Sequence, residues 1–371
     1  MKLIAESGLW TIGSAVAAAP AVAVLEVSGA VLAWTVDDPL GSAATRVTFT
    51  DLLAAEWLWR VVGESGHVAL VAAVDGREPD AGQQLDVAGG ELDSAVLAPL
   101  RRLAVGHWLR RWWPTSARDG IVGLDPVVLD GEVALLTLAA QAYFTDDTFD
   151  SDVEELLRPH RAALAELAHF GDPRVAELAR TCVDLADDIG IPAMELAVPH
   201  AAQRRSDYAL AAGSDAERNT SDPIARGVGS VDWAAVPPGL FDAADRTVDW
   251  AIELAGVAAV ARVRVATTAP VAGVEVRLRS GAFSGVGLLT ADGRATLPLL
   301  GAAHQPVTET QAWDHDWPET TVIVGADAED SGDSADAAQM RARLRDFARG
   351  RLARPGDDAF LAELLAAESD Y

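Results

Sequence analysis

The sequence predicts an α+β multidomain protein in which a mixed, largely helical N-terminal domain precedes an antiparallel β-sandwich and a helical C-terminal tail. Three observations predict this class: apolar residues recur at helical spacing through much of residues 93–200, the apolar period changes to two after residue 231, and helical spacing returns near the C-terminus. The predicted boundaries follow these changes, with an N-terminal domain at 1–200, a linker at 201–230, the β-sandwich at 231–326, and an acidic spacer with C-terminal helices at 327–371.

The N-terminal domain is organised around a predicted helix between Asp93 and Pro114. Asp93 or Ser94 can cap the first free backbone N–H groups, and Pro114 closes the run. The helix has a broad apolar face that ends in three tryptophans, Trp108, Trp112 and Trp113. We interpret it as the central core helix, and the alternative is that these tryptophans line a groove for a partner.

The segments before this helix mix strand and helix signals. Val22–Val36 is typical of a strand pair with a turn at Ser28-Gly29. Thr50 can cap a helix that ends at Gly63, and the apolar run His67–Val74 predicts a strand.

Residues 125–200 predict a helical bundle. Asp125-Pro126 and Asp172-Pro173 each place a capping residue before a proline at the first helical position. Ser151 and Glu154 have the spacing of a capping box, Pro159 splits or follows that helix, and Gly190 ends the last one. Cys182 is alone and lies within a helical pattern, so it predicts a buried structural thiol rather than a disulfide.

The region after residue 231 reads as short strands with one apolar and one charged face. Alternation is clear in Thr247–Leu254, at Val263 and Val265, and from Val274 to Leu278; Ala291–Gly293 predicts a hairpin turn, and a further strand lies near residue 320. Regular spacing of this kind favours an antiparallel sandwich, in which outward Arg and Glu side chains form solvated cross-strand pairs.

Charge narrows the range of partners. The chain carries 56 acidic and 29 basic residues, a net charge of −27, which disfavours binding to a phosphate backbone. Residues 201–300 are nearly balanced, with 11 acidic and 10 basic groups. The N-terminal apolar run resembles a signal peptide weakly but carries one lysine and is broken by Glu6, Gly13 and Ser14. We therefore predict a cytoplasmic protein that binds neither nucleic acid nor membrane.

Two short runs suggest metal chemistry. The acidic residues around 145–155 lack the spacing and glycine of a calcium loop and fit helix entry better. In Trp313–Trp317, a strand would put the three aromatic residues on one face and Asp314 and Asp316 on the other. A metal site there would use His304, Asp314, His315 and Asp316, while structural packing is the favoured interpretation.

Catalytic and cofactor motifs are missing from the sequence. It contains no GxSxG, HExxH, CxxC, Walker A or GxGxxG pattern, and no cofactor is predicted. The C-terminal helices concentrate arginines after an acidic spacer, and Arg345 and Arg349 are candidate partner contacts beside Trp108, Trp112 and Trp113. We expect charge as well as burial to hold this tail in place.

The segment Gly229–Glu253, the run Trp313–Asp327 and the closing residues 360–371 resemble uncharacterised proteins of high-GC actinobacteria, as does Trp108–Asp125. This resemblance implies association with systems of MoxR-type ATPases and von Willebrand A modules, and hence an ATPase partner. The resemblance identifies no catalytic residue in this sequence. The expected function is a non-enzymatic adaptor or scaffold that binds other proteins, and the alternative is a metal-dependent hydrolase that uses the His304–Asp316 region.

Overall fold

A computed structural model describes residues 1–38, 44–80, 82–88, 91–144, 150–169, 171–192, 222–326 and 335–369. The chain combines helices with antiparallel sheets, as the sequence predicted. It divides into two compact units, the first made of Met1–Pro114, Gly120–Pro192 and Gln339–Tyr371 and the second of Thr115–Asp119 and Ala193–Ala338. The C-terminal helices therefore belong mainly to the first unit, and a short segment after Pro114 belongs to the second.

The first unit contains a six-stranded antiparallel sheet in the order β3-β4-β5-β2-β1-β6. Its strands are β1 Lys2–Glu6, β2 Leu9–Gly13, β3 Val22–Val27, β4 Ala30–Thr35, β5 Thr45–Phe49 and β6 Gln84–Asp86. The predicted strand pair at 22–36 is confirmed, with β3 and β4 joined through Ser28 and Gly29. The N-terminal run that resembled a signal peptide forms β1 and β2, which the sequence did not predict.

The predicted strand at His67–Val74 is wrong, because these residues lie in helix α1 (Trp59–Val74). Gly63, the predicted helix end, has φ 75° inside this helix, and helical geometry resumes after it. The buried residues Val62, Gly66 and Leu70 lie four positions apart, which is a helical period. A continuous apolar run of this length does not distinguish a buried strand from a buried helix, and tertiary packing decided it.

Helix α2 (Ser94–Trp112) confirms the predicted central helix and packs against β3 and against helix α3 (Pro126–Gln141). The Asp93 carboxylate caps it by accepting from the N–H groups of Ala95 and Val96. The cap at Asp125, with Pro126 at the first helical position, is confirmed in the same way for α3. These caps act locally, which explains why the sequence located them.

The remaining helices of this bundle are α4 Asp150–Leu157, α5 Arg161–Leu167 and α6 Pro173–Asp188. Pro159 lies in a short 3-10 turn between α4 and α5, and Asp172 caps α6 as predicted. Helix α4 begins at Asp150, and the predicted capping role of Ser151 falls on a side chain outside the described residues. Cys182 is buried and its thiol donates to the Gly131 carbonyl, in agreement with a structural thiol whose pKa burial raises to about 12.

The second unit contains two antiparallel sheets, one in the order β12-β9-β8-β7 and one in the order β11-β10-β13. Their strands are β7 Ala225–Gly229, β8 Val248–Ala255, β9 Ala258–Val265, β10 Glu275–Ser280, β11 Phe283–Leu288, β12 Arg294–Pro298 and β13 Thr321–Val324. The predicted linker is wrong at its C-terminal end, because β7 occupies 225–229; residues 201–221 of it lie outside the described part of the chain. Residues 291–293 form a turn but no hairpin, since β11 and β12 pair with different strands.

Both sheets contribute to one buried apolar cluster. The cluster includes Val248 and Ile252 of β8, Val276 and Leu278 of β10, and Leu297 of β12. Alternate residues of these strands point into it, so the other residues, which carry most of the charge, must face outward. This alternation determines where the arginines of the unit lie.

Helix α7 (Glu309–Trp313) lies in the second unit, and helices α8 (Ala335–Ala353) and α9 (Leu361–Ser369) complete the first unit. Phe360, which precedes α9, is 0% exposed, and the Phe347 ring meets Trp108 edge to face at 5.8 Å. The acidic spacer between 327 and 334 lies outside the described residues.

Candidate functional site

The outer face of the β12-β9-β8-β7 sheet carries a concave, arginine-lined surface of about 680 Å³. Residues 222–326 contain seven arginines, and five of them line this one concavity: Arg226, Arg246, Arg262, Arg264 and Arg294. All five side chains are exposed. We call this surface the arginine face.

Strand register places four of these arginines on one side of the sheet. Arg264 of β9 lies directly opposite Arg294 of β12 and, on its other side, opposite Asp249 of β8. Arg262 lies opposite Ala251, which in turn lies opposite Arg226 of β7. Opposite residues in an antiparallel sheet share a face, so the four guanidinium groups project from the same side.

The charges on the arginine face are only partly compensated. Arg262 pairs with Glu253 at 2.6 Å, and Arg294 pairs with Asp292 at 3.0 Å. Among the described residues, Arg226, Arg246 and Arg264 make no ion pair within 4.0 Å. Like charges directly opposite on neighbouring strands are unfavourable, so the Arg264–Arg294 pair costs stability that an anion would restore.

Asp292 lies at one edge of the arginine face, where it pairs with Arg294. A hydrogen bond from the Thr290 hydroxyl, together with the nearby charges of Arg294 and Arg264, holds the pKa of this carboxyl below its ordinary value. The hydrogen bond has the larger effect, and the two arginines act in the same direction.

Arg246 is set in place by a buried carboxylate. Asp242 is 6% exposed and accepts from the Ser116 hydroxyl at 2.6 Å and from the Ala244 and Arg118 backbone N–H groups at 2.9 and 3.3 Å. The Arg118 guanidinium also donates to the Asp245 and Arg246 carbonyls. The segment 115–119 therefore clamps the loop that presents Arg246.

The backbone of Arg246 is strained. Its φ is 59°, in the left-handed region, and its N–H donates to the Ser230 hydroxyl at 3.0 Å. Residues other than glycine rarely adopt this conformation, and such strain is concentrated at binding and catalytic sites. The left-handed backbone and the Ser230 contact fix the position of Arg246, which lines the arginine face.

The predicted tryptophan site is mostly interior. Trp108 is 2% exposed and donates to the Pro20 carbonyl at 2.6 Å, and Trp113 is 8% exposed and donates to the Val122 carbonyl at 2.9 Å. Trp112 is half-buried, with the Arg111 guanidinium 4.2 Å from its ring centroid. These positions favour the core interpretation of α2 over the partner groove.

The two arginines predicted as partner contacts differ in exposure. Arg345 is buried at 7% exposure, whereas Arg349 is exposed and pairs with Asp346 on the same helix. Burial leaves Arg345 little surface for a partner.

Residues Trp313–Trp317 do not form a strand. Trp313 ends a short helix, α7 (Glu309–Trp313), and is 58% exposed, while Trp317 is 6% exposed, so the aromatic residues do not share a strand face. Thr308 and Gln311 form a capping box that starts α7. This local signal was present in the sequence.

His315 contacts a hydroxyl rather than an acidic group. Its Nε2 lies 2.8 Å from the Ser280 hydroxyl oxygen, and the ring packs 4.6 Å from both Phe283 and Trp317. Ser280 is 1% exposed, which leaves its oxygen inaccessible to a substrate. His304, Asp314 and Asp316 are exposed, and nowhere in the described ranges do three His, Cys, Asp or Glu side chains group closely enough to hold a metal ion.

A polar cluster in the first unit was missed by sequence reasoning. The Asp130 carboxylate accepts from Arg110 at 2.6 Å and lies 3.0 Å from His160 Nε2, and His107 is adjacent to Arg110. Burial and the neighbouring Arg110 charge lower the pKa of His107 to about 4, against a smaller opposing effect of Asp130. Three separate segments supply these residues, so no sequence spacing could have found them.

Together, the fold and this site define a protein of two units, one helical with a six-stranded sheet and one of antiparallel strands with a cationic concavity. No protein-family model, curated protein or solved structure matches the chain. In the part of the chain that the structure describes, no helix combines the length and apolar character needed to cross a membrane.

Proposed function

We propose that this protein is a non-enzymatic adaptor that binds an acidic segment of a partner protein on its arginine face. The observation that carries the proposal is the set of three arginines on that face, Arg226, Arg246 and Arg264, that make no ion pair with any described residue. Arginine presents a planar fork of donors that matches a carboxylate, and several such groups on one surface favour a multivalent anion.

The charge of the whole chain favours a protein partner over a nucleic acid. A net charge of −27 repels a polyanion at long range, and the field weakens with salt over about 10 Å. A segment with only a few carboxylates can still approach the local positive surface. Acidic peptide is therefore the ligand class that fits both the local and the overall charge.

The wider setting is part of the proposal. We propose that the second unit is a β-sandwich, which is supported by the one buried cluster that its two sheets share. The resemblance to actinobacterial proteins suggests an ATPase of the MoxR type as the partner, acting in the cytoplasm. The metal-dependent hydrolase with His304, Asp314, His315 and Asp316 ranks second, and metal analysis of the purified protein would test it.

A charge-reversal series tests the adaptor function. A labelled oligoglutamate peptide should bind the full chain with an affinity that falls as salt rises, and the double variant R226E/R264E should abolish binding. R279E is the matched control, since Arg279 is an exposed strand residue of the second unit outside the arginine face. Equal loss in the control and in the double variant, or no binding to the unmodified chain, would overturn the proposal.

A further inference from the structure

Strand β7 forms one edge of the arginine face and is an edge strand among the described residues. It is the terminal strand of the β12-β9-β8-β7 sheet, and no described strand pairs with its outer edge. Every second residue of an edge strand directs its N–H and C=O groups away from the sheet, where they can pair with another strand. Its five residues, ARGVG, contain no proline and so keep every backbone donor.

The opposite edge of the same sheet is less accessible. Strand β12 ends at Pro298, and the chain beyond it makes bridges between Ser284 and Leu300 and between Leu300 and Pro306. Natural proteins block edges by proline, by charge and by covering segments. Among the described residues, β7 is therefore the edge of this sheet that can accept an added strand.

The inner side of β7 is fixed by a close approach that only glycine allows. A Cβ at Gly227 would lie 2.4 Å from the Trp250 ring, so this residue lets the indole pack against the strand from the core side. This close approach fixes the position of β7 against the core.

The outward side chains at alternate positions along β7 differ in chemical character. Arg226 comes first, then Val228, which is 44% exposed, and then Ser230, whose hydroxyl accepts from the backbone of Arg246. The order along the edge is thus cationic, apolar and hydroxyl, and the hydroxyl holds the backbone of Arg246, whose side chain lines the same concavity. A neighbouring strand would place its own alternate side chains beside these, about 5 Å away.

Building on the proposed function, we propose that the partner binds as an extended segment that adds a strand to β7. Its recognition pattern is acidic–x–apolar–x–acidic, with the apolar residue on Val228 and the two carboxylates on Arg226 and Arg246. Backbone hydrogen bonds to an edge supply affinity in such complexes, and alternate side chains supply specificity. The pattern is symmetric, so it holds for either strand direction.

Two peptides of identical composition test this inference on the full chain. One carries Glu-Thr-Val-Thr-Glu and the other Glu-Glu-Val-Thr-Thr, each between the same neutral flanks. We expect the first to bind at least about tenfold more tightly, which is the effect of one misplaced charged contact. Amide hydrogen exchange at residues 225–229 should slow on binding of the first peptide.

N-methylation of the peptide separates strand addition from simple charge attraction. Methylating one set of alternate amides should weaken binding by about tenfold or more, while methylating the other set should leave it unchanged, because only one set faces β7. Equal binding of both isomers with no effect of methylation, but loss in R226E/R264E, would overturn strand addition and leave the proposed function standing. Failure of every acidic peptide to bind would overturn both.

Discussion

Arginine is used in opposite ways in the two units. In the first unit, Arg351 lies between Glu363 at 2.6 Å and Asp358 at 3.2 Å, and the Glu363 side chain is 0% exposed. On the arginine face of the second unit, Arg226, Arg246 and Arg264 are exposed and make no ion pair with described residues. An arginine that pairs with buried carboxylates fixes the position of its segment. An exposed arginine without an ion pair remains available to bind an anionic ligand.

The physical reason lies in desolvation. A charge taken out of water must be matched at good geometry, so the Arg351 cluster holds the α8–α9 corner in one arrangement. An exposed guanidinium stays hydrated and does not need a paired carboxylate. Several exposed guanidinium groups on one surface repel one another, which lowers stability slightly but favours binding of an anion.

Removal of the buried carboxylate should have the largest effect. E363A leaves Arg351 with Asp358 alone and removes the acceptor of the Phe360 N–H, which donates to Glu363 at 2.9 Å. We expect the free energy of unfolding of the first unit to fall by about 3–5 kcal/mol, measured by chemical denaturation with tryptophan fluorescence. The control D346A removes an exposed partner of Arg349 and should cost about 0–1 kcal/mol. Equal losses would contradict the comparison.

Acid should destabilise the first unit through His107. Its pKa is lowered to about 4 by burial and by Arg110, so the unfolded chain binds the proton more readily between about pH 6.5 and pH 4. Stability is therefore complete above pH 6.5 and falls as the pH drops toward 4, by up to about 3 kcal/mol. H107Q should remove this dependence of stability on pH. The difference between the wild-type and H107Q curves separates the contribution of His107 from that of the carboxyl groups. Parallel curves for the two proteins would contradict the burial argument.

High salt should affect the C-terminal helices only slightly. Arg343 pairs with Asp37 at 2.7 Å and Arg174 with Glu368 at 2.6 Å, and both pairs are exposed to solvent, so salt screens them and their loss releases little stability. Phe360 and the Arg351–Glu363 pair are shielded, so they should persist in about 1 M salt. Hydrogen exchange in residues 337–368 would check this. Release of these helices while α2 stays protected would show that charge, as the sequence suggested, holds them.

Neutralising the arginine face should change stability least. R264T removes the unfavourable contact with Arg294 together with the favourable proximity of Asp249, so the net effect on the second unit should stay within about 0.5 kcal/mol. Binding of the acidic peptide should weaken nevertheless. A melting temperature that falls by several degrees in R264T, but not in R279T, would assign Arg264 a structural role.

Local sequence signals predicted the positions of several helices and strands correctly. The caps at Asp93, Asp125 and Asp172 and the alternation at Val248–Leu254 depend on neighbours within a few residues, and they located α2, α3, α6 and β8. The strand prediction for His67–Val74 was wrong because a continuous apolar run fits both the helical and the strand period. The strand at 225–229 was missed because its two glycines and polar neighbours are typical of a linker. Only its pairing with β8 makes it a strand.

What the sequence determined by itself was the alternation that turns the charged residues of β8, β9 and β12 outward, because side-chain direction follows from the strand period. It also determined the near balance of charge in residues 201–300 within a strongly acidic chain. Only the tertiary structure decided that arginines from β7, β9, β12 and the Asp242–Arg246 loop converge on one surface. Strand order and register bring together residues that are 68 positions apart, such as Arg226 and Arg294, and no local pattern encodes that pairing.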